Sequence, residues 1–153
     1  MAPSPPQEGR TLTPPKLPST TDGDNVFMRG RLEKAKGFLE SAETLFEFGA
    51  EDGILVPASP HADSFVDLCV DAGIAAADAI CIGKTGRYSS GASHNDGVSI
   101  LQDATDRPIA KHLETLVRVK NKAAYSARSV DASDIHNAGA AARALVAVAE
   151  DLV

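Results

Sequence analysis

The chain has 153 residues, 43% of them apolar and 24% charged, with a formal charge of -6 and two cysteines. That is enough for one core, and it excludes a disulfide framework and a surface that is cationic all over. Aromatic content of 5% without tryptophan, set against abundant alanine, calls for a core of Ala, Leu, Val and Ile at close approach, as in helix-on-helix packing.

Residues 1–23 hold six of the nine prolines and few apolar side chains, so a disordered Pro-rich tail is expected there, with residues 24–153 as the folded unit. From Asp24 the pattern turns helical: Met28, Leu32, Ala35, Leu39, Ala42 and Phe46 recur at spacings of four and three, and Gly49 reads as the C′ stop. Ser59 and Pro60 then read as N-cap and first residue of a second helix, with Phe65, Leu68, Ala72, Ala75, Ala79 and Ile82 on one side and Gly83 as its end. Between Ile74 and Ile82 only Asp78 breaks the apolar character, which predicts a central helix.

Gly and Ser mark the following segment, GKTGRYSSGAS, as a loop. Ser93 and Asp96 predict a short helix from His94 to about Gln102, and Asp106 with Pro108 opens a fourth carrying Ile109, Leu113, Leu116 and Val117. Asp131 and Asp134 form a capping pattern before the last helix, whose seam is Ile135, Ala138, Ala142, Leu145, Ala149 and Leu152. No useful β alternation appears. The expected fold is all-α, an antiparallel up-down bundle of four long helices plus one short one.

Several familiar chemistries are excluded. GKT at residues 83–85 resembles the end of a phosphate-binding loop, but Asp78 stands where that motif requires glycine and the preceding segment reads as helix. His61, His94, His112 and His136 show no metal-ligand spacing, so neither a metal nor a cofactor is expected. Cys69 and Cys81 are twelve residues apart in one predicted helix, about 18 Å, too far to bridge and too apolar in surroundings to be good nucleophiles. No apolar run reaches the roughly 18 residues of a membrane span, and no charged-then-apolar leader is present, so a cytoplasmic location without membrane attachment is expected.

One stretch stands apart. From Arg107 to Arg128 there are six cations and one acid, +5 in a chain of -6, which leaves -11 for the remainder. Within it RVKNKAAYSAR, residues 118–128, combines Arg118, Lys120, Asn121, Lys122, Tyr125 and Arg128. At 100° per residue Arg118, Asn121, Lys122 and Tyr125 share the polar face, whereas Lys120 continues the apolar stripe. An ammonium there calls for an end-of-bundle cleft, a subunit interface or a bound anion.

VDLCVDAGIAAADAICIGKTGRYSSGASH followed by LETLVRVKNKAAYSARSVDASDIHNAGAAARALVAVAE resembles the HEPN domains, small all-helical bundles, over about residues 28–152. Many members carry an arginine and a polar residue near the end of the penultimate long helix, with a histidine four to six residues after the arginine. In one register Lys120, Asn121 and Tyr125 occupy these places; in a second, Arg118 takes the arginine position and Ala123 that of the histidine. The resemblance implies a homodimer, metal-independent RNA chemistry with catalytic positions at Lys120, Asn121 and Tyr125, and a toxin-antitoxin or defence setting with a nucleotidyltransferase-type partner. Both registers lack the imidazole, and a phenol is a poor base at neutral pH, so binding of RNA or a nucleotide phosphate is expected ahead of cleavage. Arg118, Lys122 and Arg128, with Arg87 and His94 from the loop after helix two, are the expected phosphate ligands. Arg107 with His112 and Arg87 with His94 match the same loose spacing and both matches are read as coincidence, the second pair being kept among the ligands because its loop follows helix two and could face the basic end. The alternative reading is a non-catalytic dimerisation or adaptor module whose basic face grips an acidic protein, tethered by the Pro-rich tail.

Overall fold

In the computed structural model the described residues are 19–90, 94–125 and 130–152, with 94, 95 and 123–125 described in backbone only. The element order is β1 (Thr20–Asp22), α1 (Asn25–Gly49), α2 (Ala62–Thr85), β2 (Arg87–Ser89), α3 (His94–Ala104), α4 (Arg107–Tyr125) and α5 (Ala132–Asp151). The described part is thus mainly helical, as the periodicity predicts.

The caps explain where the helices begin and stop. Asp24 accepts a hydrogen bond from the Phe27 N–H at 2.8 Å, satisfying one of the orphan donors of the first turn of α1. Asp106 does the same for Ile109 at 2.9 Å. Asp131 and Asp134 form a reciprocal capping box at the start of α5, as their spacing predicts.

Two expected stops and one expected start are corrected. Gly49 is the last residue of α1 rather than the residue beyond it, and a side chain there would meet Leu55 at 3.0 Å and His61 at 3.1 Å, so close packing explains its size. α2 starts after His61, with Ser59 accepting from the His61 N–H in the preceding turn. It runs through Gly83 to Thr85, and the left-handed residue that ends it is Gly86, at φ 73°.

The expected tail boundary and the expected lack of strands are corrected together. Thr20–Asp22 pairs antiparallel with Arg87–Ser89, in the register Thr20 to Ser89 and Asp22 to Arg87. Arg87 holds the pair shut: Nε donates to the Thr20 hydroxyl at 2.7 Å, Nη2 to the Thr20 carbonyl at 3.0 Å, and Nη1 meets the Asp22 carboxylate. Three-residue strands are too short to show alternation. Residues 1–18 of the predicted tail lie outside the described residues.

This pair joins the start of α1 to the end of α2, so the two helices run antiparallel. α2 is the hub, packed against α1, α3, α4 and α5. Its small residues let α5 approach closely and in the same direction: Phe65 lies at Gly139, Leu145 at Gly73 and Leu152 at Gly83. α4 runs the other way, placing Leu116 over Gly73. Phe65, Ile80, Leu101, Leu116 and Leu145 are fully buried, each contributing roughly 1.5–3 kcal/mol by leaving water. Cys69 and Cys81 are buried and free, and burial pushes both thiols up to about 12. Among the described residues no helix is long and apolar enough to cross a membrane.

Candidate functional site

The predicted cationic stretch forms the second half of α4. Leu113, Leu116, Val117 and Val119 are buried, which turns Arg118, Asn121 and Lys122 outward and leaves Lys120 half-buried. The last turns of α4 meet the first turns of α2 and α5, because α4 opposes both in direction.

What faces these cations is carboxylate. Asp63, Asp67 and Asp71, spaced by four, form a ridge along α2. The Asp67 carboxyl is raised above its ordinary range, first by burial and then by the charges of Asp71 and Asp63, while the Lys120 ammonium acts in the opposite sense. The core-facing lysine therefore has acidic company from within its own chain, an answer the apolar-stripe reasoning did not include. The ridge was readable as ADSFVDLCVD, where three acids recur at one helical face.

Lys122 is more closely held. Its Nζ lies 3.0 Å from Asp131 Oδ2 and 2.9 Å from Asp134 Oδ2, joining the end of α4 to the capping box of α5. The two carboxylates push the ammonium further up, Asp134 most. The Asp134 N–H and the Lys122 ammonium hold the Asp131 carboxyl below its usual value. On the other side, Glu114 takes Arg107 at 2.8 Å and Arg118 at 3.9 Å. The net charge of the stretch is positive in sequence, but in space it is interleaved with acids. Val130 closes the junction, its N–H directed to Asp63 Oδ1 at 3.4 Å.

The predicted ligands do not all converge. Arg118, Lys120, Asn121 and Lys122 occupy consecutive turns of α4, and the backbone helix extends to Tyr125. The Tyr125 ring, the His94 ring and Arg128 lie outside the described residues. Arg87 is placed elsewhere. It follows the C-terminus of α2, whereas Lys120 acts on Asp67 in the second turn, so about 30 Å of helix separates them. Its guanidinium is occupied with β1. Arg107 pairs with Glu114 and Gln102, and His112 is half-buried on α4.

A concavity away from the α4 end went unanticipated. A cleft of about 350 Å³ between the α1–α2 connection and α5 is lined by Phe46, Leu55, Ile135, His136, Gly139 and Arg143. Arg143 reaches across it to Glu43 at 3.2 Å. Among the described residues no group of three or more His, Cys, Asp or Glu could hold a metal ion. No family model, no curated protein and no solved structure matches this chain.

Proposed function

We propose that the chain is a HEPN-like antiparallel up-down bundle that works as a homodimer and binds RNA or a nucleotide phosphate at the end of α4, as a binder rather than a nuclease. The observation that carries this reading is the exposure of Arg118, Asn121 and Lys122 on successive turns beside the half-buried Lys120, at the junction of three helices. The adjoining carboxylates are counterions that an incoming phosphate must displace. Lys122, held between two of them with its proton more firmly bound, is no general base. The setting is a toxin-antitoxin or defence-type module, in which a nucleotidyltransferase partner acts on Tyr125.

The test is fluorescence anisotropy with a labelled single-stranded RNA. Binding should be measurable at about 50 mM salt and fall by at least tenfold at about 200 mM, as release of several counterions requires. Arg118→Ala with Lys120→Ala should abolish it, and the RNA should stay full-length on a denaturing gel. An RNA that is not retained at low salt, or that binds the double variant equally well, overturns the reading.

The interleaved charges favour a second reading, a non-catalytic adaptor. A surface on which cations and acids alternate matches a protein partner better than a polyanion. Then RNA is not retained at any salt, while Arg118→Ala weakens capture of an acidic protein partner.

A further inference from the structure

The outer face of α1 has features that the described residues do not account for, apart from the edge contact of the Phe48 ring with His61. Met28, Leu32, Ala35 and Ala42 are buried on one side of the helix. At 100° per residue, Val26, Gly30, Gly37, Ser41, Thr44 and Phe48 lie within about 45° of the opposite direction. Val26 is 81% exposed and Phe48 78%, large apolar side chains at the two ends of a solvent-facing stripe. Between them Gly30 and Gly37 have open space where a side chain would stand, and neither has a positive φ. Glycine is the poorest helix former after proline, so two of them in an exposed helix, needed neither for a turn nor for an internal contact, call for a backbone that something else approaches.

The charge along α1 identifies what approaches it. With Arg31 turned to Asp78 and Glu43 held by Arg143, Asn25–Lys36 still presents Arg29, Lys34 and Lys36 against Glu33, whereas 37–49 presents Glu40 and Glu47 and no cation. A helix positive in one half and negative in the other is complementary to itself when reversed. A two-fold axis through Gly37 sets Val26 against Phe48 and Gly30 against Thr44 of a second copy, twice over, with Gly37 facing Gly37 and Arg29 on the same flank of the seam as Glu47 of the other copy. This is the isologous arrangement of a cyclic dimer, apolar contacts outermost and small residues at the crossing.

We infer that α1 of one molecule packs antiparallel on α1 of a second copy through this face, with the two chains crossing at Gly37. The inference rests on the homodimer of the proposed function but not on its RNA site. The contact uses α1, whereas the ligand residues are on α4.

The full chain supplies the test. Gly37→Cys should give a disulfide-linked dimer under mild oxidation, seen on a non-reducing gel, because the native thiols are buried and hold their protons. Ser133→Cys, on the exposed start of α5, should stay monomeric. In sedimentation equilibrium Arg29→Glu should weaken the dimer at least tenfold, and adding Glu47→Arg to it should restore wild-type association. Phe48→Glu should dissociate it without loss of helical circular dichroism. A wild type that is monomeric at about 100 μM, where a dimer of micromolar affinity is fully formed, overturns both this face and the homodimer. A dimer indifferent to Arg29→Glu and Phe48→Glu overturns this face alone. Loss of RNA retention in a variant that still dimerises bears on the α4 site and leaves the α1 contact standing.

Discussion

Gly73 and Gly37 sit in helices that lie side by side, yet their surroundings are opposite. A side chain added at Gly73 would come within 2.2 Å of Leu116 and 3.4 Å of Leu145, whereas one added at Gly37 would meet nothing within 4 Å. The first glycine is explained by the chain's own packing: α4 and α5 both cross α2 there, and only a bare backbone lets them. The second is explained by nothing among the described residues of one copy. The contrast is best broken at its inner member. Gly73→Val should lose ~3 kcal/mol, because two methyl groups are forced against fully buried leucines that have no space to rotate into. Trimming Leu116 to Ala in the same chain should recover part of that loss, read as the urea midpoint. If Gly73→Val is neutral, close approach is not what the inner glycine serves.

Ion pairs repeat the contrast. Arg31 on α1 contacts Asp78 on α2 through Nη2 at 2.9 Å and Nε at 3.0 Å, and Asp78 is only 15% exposed. This is the residue that interrupts an otherwise apolar helix, and burial raises its carboxyl above the ordinary value while Arg31 opposes the rise. Arg31→Met would leave a partly desolvated carboxylate without its guanidinium, at a cost of ~1–3 kcal/mol. The sign with pH follows. A carboxyl raised in the folded state binds its proton more tightly folded than unfolded, so stability rises as pH falls from the raised value toward 3.8. Removing Arg31 raises the group further. The deficit of Arg31→Met should therefore be largest at neutral pH and shrink on acidification, a trend that thermal unfolding across pH measures.

Legibility followed the same division. Helix number, the Asp106 cap and the Asp131/Asp134 capping box were readable, because periodicity and caps are set by residues a few positions apart. Gly83 and Gly49 were read as stops because glycine commonly ends helices, but both are inside helices where a neighbour leaves no room: Met28 beside Gly83, Leu55 and His61 beside Gly49. That information lies in tertiary contacts. The strand pair escaped notice because three residues carry no period, and its clamp joins Arg87 to Thr20, 67 positions away. At the candidate site the cations and the acids were each legible, but not that they face one another. The count over residues 107–128 sees +5, but apart from Glu114 the acids that answer it come from α2 and from the capping box of α5, outside the window.

The smallest effect should come from the outermost ion pair. Lys122 and Asp131 are exposed and keep most of their hydration, so salt screens their attraction, although the Asp134 carboxylate is only 13% exposed. Asp131 is held low in the folded state, so its contribution is present above the unfolded value of 3.8 and is lost as pH falls through the lowered folded value. Lys122 is held high, so its contribution is complete below 10.5 and is lost as pH rises through the raised folded value. Both are constant between those limits. Lys122→Met should thus lower the melting temperature slightly and evenly across neutral pH, the difference from wild type narrowing at both extremes and in high salt. Its helix cap survives, since Asp131 and Asp134 still satisfy each other's backbone N–H at 2.8 and 3.0 Å. A loss as large as that of Arg31→Met would mean that this charge is less hydrated than the single chain makes it, and that something covers the end of α4.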